Sequence, residues 1–150
     1  MTKTQKHIYP VNTPRYGKTY SFVIPDIPKS INHAYIIRVN KRRAFKFMSK
    51  QGKEFVKLVH SIVSQHPECS NFPLTNKKYK VRITVYMNKN YRNDVDNFAK
   101  ICLDSLNKTV IEDDFHINEL SLKKQTSTTG EPYTIIDVIV LDYGEQNGNE

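Results

Sequence analysis

The segment Tyr79-Lys80-Val81-Arg82-Ile83-Thr84-Val85-Tyr86 alternates without a break between side chains suited to a core and side chains suited to water. Successive side chains of a strand point to opposite faces, so this is a β-strand with one buried face and one wet face. Its apolar face needs a cover, and helical patterns elsewhere supply one. Phe55, Leu58, Val59, Ile62 and Val63 recur at helical spacing behind Ser49, which is placed as the N-cap of a helix reaching about residue 65. A second helix is expected from near Asp94, roughly 14 residues long, with Val95, Phe98, Cys102, Leu106 and Val110 on one face. Further strands are expected at 19–24, 35–38, 44–47, 117–124 and 133–141. Asn40-Lys41-Arg42-Arg43 reads as a hairpin tip, and 28–33 and 67–78 read as loops. The sum is an α+β fold, a single domain with a mixed β-sheet and two main helices packed on it.

Size and composition narrow the class of protein. A chain of 150 residues suits one domain and buries a core without disulfides. An apolar share of 38%, with nine Tyr and seven Phe, excludes a disordered chain. No apolar run approaches the ~20 residues a membrane helix needs, and no signal-peptide core is visible at the N-terminus. Cys69 and Cys102 form no CxxC pair. The expectation is a protein of a reducing cytoplasm with no membrane partner. Twenty-three Lys and Arg against 15 Asp and Glu give a formal charge of +8. Such an excess attracts polyanions and makes nucleic acid the first partner to consider.

The charges are segregated. Arg38, Lys41, Arg42, Arg43 and Lys46 crowd the expected hairpin, where phosphate contacts are placed, and Asn32 and His33 are expected to line the same groove. From 94 to 114 the balance reverses, with Asp94, Asp96, Asp104, Glu112, Asp113 and Asp114 against Lys100 and Lys108. Clustered carboxylates repel, which raises a pKa or calls for a cation. Mg²⁺ takes oxygen ligands and suits phosphodiester hydrolysis, with a lysine such as Lys100 beside it to stabilise the phosphate. Each feature alone has an ordinary account: Asp94 as a helix cap, Asp96 and Lys100 as a surface ion pair, Asp113-Asp114 as a turn. His60, His66 and Cys69 match no zinc spacing, Cys102 reads as a core thiol, and His116 as a surface histidine.

The run Arg92-Asn93-Asp94-Val95-Asp96-Asn97-Phe98-Ala99-Lys100, then Asp104-Ser105-Leu106, then Ile111-Glu112-Asp113-Asp114 and Lys123, resembles the signature of the RusA family of Holliday-junction resolvases. Ile27-Pro28-Lys29-Ser30-Ile31-Asn32-His33, followed by Tyr35, is similar to that family's Pro-Pro-Ser-x-Asn element, with Lys29 in place of the second proline. The resemblance covers roughly residues 20–142 in the right order. It implies an endodeoxyribonuclease that resolves four-way junctions by paired cuts in recombination and repair, as a homodimer with Mg²⁺ or Mn²⁺, in a bacterial or phage-infected cell. By the same resemblance Asp94, Asp96 and Asp114 bind the metal and Lys100 is the essential lysine. Asp113 becomes an alternate ligand or a partner of one. The chain then divides into an arm or added edge segment at 1–17, a nuclease domain at 18–143 and a disordered tail at 144–150. A DNA-binding module without catalysis and a general flap or branched-DNA nuclease are the alternatives.

Overall fold

Residues 12–88 and 92–144 are described by the computed structural model. Most of the expected arm (1–11) and of the tail (145–150) lies outside the described residues. The alternating segment becomes a strand of the main sheet, which contains β1 (Arg15–Ile24), β4 (Lys78–Met87), β5 (Ile117–Thr126) and β6 (Tyr133–Asp142) in the order β1-β6-β4-β5. A separate two-stranded sheet is made by β2 (Tyr35–Asn40) and β3 (Arg43–Met48). β6 runs antiparallel to both β1 and β4, whereas β4 and β5 are parallel. Parallel neighbours need a crossover, and this one carries the acidic segment. It includes a 3-10 turn, Val95–Phe98, and the helix α3 (Ala99–Leu106).

The core lies on one face of the sheet. Tyr79, Val81, Ile83 and Val85 of β4 are buried with Phe22, Ile24, Ile136 and Val138. Helix α2 (Lys50–Ser64) contributes Phe55, Val59 and Val63 to this cluster, and the crossover contributes Phe98, Ile101, Cys102 and Leu106. Fully burying such a side chain is worth about 1.5–3 kcal/mol. On the opposite face, Ser21 Oγ and Arg82 Nε both donate to the buried Asp137 carboxylate, at 2.6 and 3.0 Å. Three strands are thereby cross-linked.

Ser49 caps α2 as expected, its Oγ accepting from the Gly52 N–H at 3.0 Å. Gly52 itself was not singled out by sequence. A Cβ there would lie 2.5 Å from the Ala34 carbonyl oxygen and 2.8 Å from Met48 Cγ, so glycine is what lets α2 approach the root of the β2–β3 hairpin. Three expectations need correction. Within the supposed loop 28–33, Ile31–Ala34 forms a short helix, α1, whose Ala34 is buried against α2. The second helix is neither continuous nor 14 residues long. It opens as a 3-10 turn and stops at Leu106, where Asn107 is extended and Lys108 adopts φ +61°. The N–H groups of Thr109, Val110 and Ile111 all converge on the Leu106 carbonyl, so Val110 reaches the core from a loop. The edge strand also begins earlier than residue 19: Arg15 and Tyr16 pair with Asp142 and Leu141.

Candidate active site

Asp94 sits where an N-cap would, with extended backbone (φ −67°, ψ 147°), and its carbonyl accepts from Asn97 N at 3.1 Å. Its side chain makes no capping hydrogen bond. The ordinary account of this aspartate as a cap therefore fails, and Asp94 and Asp96, two residues apart in the same turn, are both exposed. Buried Phe98 anchors the turn in the core, and Lys124 Nζ, from β5, donates to the Asn93 carbonyl at 2.8 Å.

Lys100 does not pair back with Asp96. The 3-10 turn ends at Phe98, so the helical spacing that would join them is broken. Lys100 Nζ instead donates forward to Asp104, 3.0 Å to Oδ1 and 3.2 Å to Oδ2. The Tyr35 hydroxyl, at the root of the β2–β3 hairpin, donates to Oδ2 of the same carboxylate. Burial, then the bond to Asp104, pushes the Tyr35 pKa above the ordinary tyrosine value. Lys100 and Lys46 lie 5.8 and 4.5 Å from the Tyr35 ring centre. Pairing of Asp104 with Lys100 or Lys108 is what sequence spacing allows, and Lys100 is the partner found; Tyr35 stood out only as the residue following the Ser30–His33 element, and the structure makes it the second hold on that carboxylate.

Asp113 and Asp114 follow α3 through the loop that wraps Leu106. Asp113 Oδ1 accepts from the Phe115 N–H at 3.0 Å, which lowers its pKa, aided by a hydrogen bond with Asp114. That shared bond raises the Asp114 pKa, as do partial burial and the charge of Asp113. A hydrogen bond from the Asn107 amide and the charge of Lys100 oppose the rise without cancelling it. Asn107 Oδ1 is buried without a hydrogen-bond partner.

Among the described residues, no three His, Cys, Asp or Glu side chains stand close enough together to hold a metal ion. The donor chemistry nevertheless suits a hard cation: Asp94 and Asp96 expose oxygens spent on no helix cap, and Asp113 and Asp114 crowd each other. Asn32 and His33 are exposed on α1, and Arg38, Lys41, Arg42, Arg43 and Lys46 are exposed on the hairpin. A cleft of 340 Å³ lined by Ile31, Asn32, Tyr35, Ile37 and Lys46 brings Asn32 and Lys46 together above Tyr35. His66 packs among Tyr20, Phe22 and Phe72, Cys69 is exposed and Cys102 is fully buried.

A basic α+β domain with carboxylates and a tethered lysine on a β-α-β crossover has the parts of a phosphodiester-cleaving enzyme. The family model for Endodeoxyribonuclease RusA matches residues 28–139, three quarters of the chain, and the protein belongs to that family. It is by this membership an endodeoxyribonuclease. No individual curated protein matches it. No helix among the described residues is long and apolar enough to cross a membrane.

Proposed function

We propose that the protein is a metal-dependent, structure-selective endonuclease that resolves four-way DNA junctions, as a homodimer, by paired phosphodiester cuts during recombination and repair. The reading places it in the cytoplasm of a bacterial or phage-infected cell. The observation that carries it is the arrangement of the crossover: Lys100 held by an Asp104 carboxylate that Tyr35 also holds, behind a turn that leaves Asp94 and Asp96 exposed and Asp94 uncapped. Family membership supports the chemical class.

The residues that would hold the ion are Asp94, Asp96 and Asp114, with Asp113 as an alternate ligand. Bound there, Mg²⁺ or Mn²⁺ neutralises phosphate charge and makes water a better nucleophile. Lys100, its direction fixed by Asp104 and Tyr35, directs its ammonium at a non-bridging phosphate oxygen and stabilises the charge that grows there. Asn32 and His33 on α1 and Arg38, Lys41, Arg42, Arg43 and Lys46 on the hairpin hold the flanking backbone. Two cuts related by near two-fold symmetry need two such sites, hence two chains.

The test is incubation with an end-labelled four-way junction in Mg²⁺, Mn²⁺ or EDTA. Symmetric paired nicks are expected with either metal and none in EDTA. No cleavage in any metal leaves only a DNA-binding module, and flap cleavage as fast as junction cleavage makes it a general branched-DNA nuclease. Light scattering checks the dimer.

A further inference from the structure

Every residue from Ile36 to Phe47 is exposed. Ile37, Val39 and Phe47 expose 71%, 75% and 50% of their surface. In the register of the pair, Ile36 lies opposite Phe47 and Arg38 opposite Phe45 on one face, while Ile37 lies opposite Lys46 and Val39 opposite Ala44 on the other. Both faces are therefore apolar and both are bare. Ile36, Phe47 and Met48 line a hollow of 240 Å³ with Arg38 at its edge. Exposed apolar surface of this kind marks a binding site.

Charge decides what binds. Between Tyr35 and Met48 the hairpin carries Arg38, Lys41, Arg42, Arg43 and Lys46 and no acid. A second copy of the arm would set like charges against each other. The fitting partner is anionic and also offers flat apolar faces. Paired duplex offers phosphates but keeps its base faces stacked inside, whereas unpaired nucleotides expose both. The arm also starts at the right place. Its first residue, Tyr35, is bonded to the carboxylate that holds Lys100. Five residue steps at about 3.3 Å carry Asn40 roughly 17 Å out from there.

We propose that the β2–β3 hairpin is a base-stacking arm: Phe45 and Phe47 stack on unpaired bases beside a DNA branch point, while Arg38 and Arg43, on the same face, hold the adjoining phosphates. This rests on the reading that the chain acts on branched DNA and adds the means by which it distinguishes such DNA from duplex.

The experiment is run in EDTA, so that it reads binding alone. Affinity is measured for a DNA with two unpaired 2-aminopurines at a bulge and for the fully paired duplex. The double variant Phe45→Thr/Phe47→Thr keeps strand-forming residues in the hairpin. Removing the stacking rings should weaken binding to the bulged DNA about tenfold and leave duplex binding within about twofold. Wild-type protein should change the 2-aminopurine emission, and the variant should not. Equal loss on both DNAs, no loss on either, or an unchanged wild-type emission overturns the proposal. A variant that turns from dimer to monomer in light scattering while keeping its preference for the bulge would give this face to a second copy and overturn it too. Failure of the junction-cleavage reading shows separately, as absence of nicks in Mg²⁺ from a protein that still prefers unpaired bases.

Discussion

The main sheet and the β2–β3 hairpin are made from the same residue types and treat them in opposite ways. In β4 the apolar side chains Tyr79, Val81, Ile83 and Val85 fall on one face, and all four are buried. In β2, Ile36 and Ile37 are neighbours and so point to opposite faces, and neither is buried. Strict alternation lets a strand hide its apolar half against one cover; adjacent apolar residues need two covers or none. The hairpin has none. Apolar content alone does not separate a core strand from an exposed one, whereas its phase does.

The contrast is tested most strongly by stability. Phe98→Ala empties a buried site under the Asp94–Asp96 turn and should cost about 3–5 kcal/mol in urea unfolding. Phe47→Ala, of identical chemistry on the arm, should stay within about 0.5 kcal/mol. Equal costs would mean that the arm is buried in solution. Next in size are the carboxylates proposed as metal ligands. Asp94→Asn, Asp96→Asn and Asp114→Asn should each lower junction cleavage at least ~100-fold, about 2.7 kcal/mol of barrier, while the fold survives. Affinity for the junction in EDTA should hold or tighten, because repulsion of phosphate is relieved. Asp113→Asn should do less harm than Asp114→Asn. Lost binding alongside lost cleavage would make these residues structural.

The third prediction uses a group trapped by the body. The Tyr79 hydroxyl is buried without a hydrogen-bond partner, and burial pushes its pKa up to about 12, aided by Glu112. The raised value means the folded protein keeps this proton longer than the unfolded chain does. Its contribution is therefore fully present below pH 10 and is lost as pH climbs from about 10 to 12, a fall of roughly 2–3 kcal/mol. Tyr35 and Cys102, also raised, add to the same alkaline loss. Tyr79→Phe should leave stability at neutral pH unchanged or higher and make the alkaline fall shallower; an unaltered profile removes Tyr79 as a cause. The smallest effect belongs to the arm's tip. Lys41 and Arg42 form a two-residue turn with φ +43° and +75°, a conformation that favours Asn-Gly. Lys41→Asn/Arg42→Gly should steady the hairpin by about 1 kcal/mol, seen as slower amide exchange across β2 and β3. It should also flatten the dependence of log K on log salt by up to about two units, one per lost phosphate contact. An unchanged slope would move the phosphate contacts elsewhere.

Where structure is local, the sequence was readable. Strand alternation located β4, the Ser49 cap and its apolar stripe located α2, and the basic tip located the hairpin turn. What escaped was decided by tertiary contact. The spacing of Phe98, Cys102, Leu106 and Val110 imitates one helix face, but Val110 is delivered to the core by a turn around the Leu106 carbonyl. The partner of Lys100 depended on where a 3-10 turn gives way to helix, which spacing alone does not reveal. Asp104 gained its second role from Tyr35, 69 residues away in sequence. Gly52 was silent until Ala34 and Met48 were seen against it.

The register of the hairpin has a consequence for how such a protein changes over time. Tyr35 and Met48 are cross-strand partners, so the arm leaves the body and returns to it at almost the same point. Everything proposed to cut DNA lies in a different stretch of chain, from Asp94 to Asp114. Residues 36–47 can therefore be shortened, lengthened or exchanged for another hairpin, and the two ends left behind are still spaced for a strand pair, about 5 Å apart. The proposed preference for a DNA shape is in this sense a detachable cassette, open to replacement by insertion and deletion while the residues proposed to cut stay as they are.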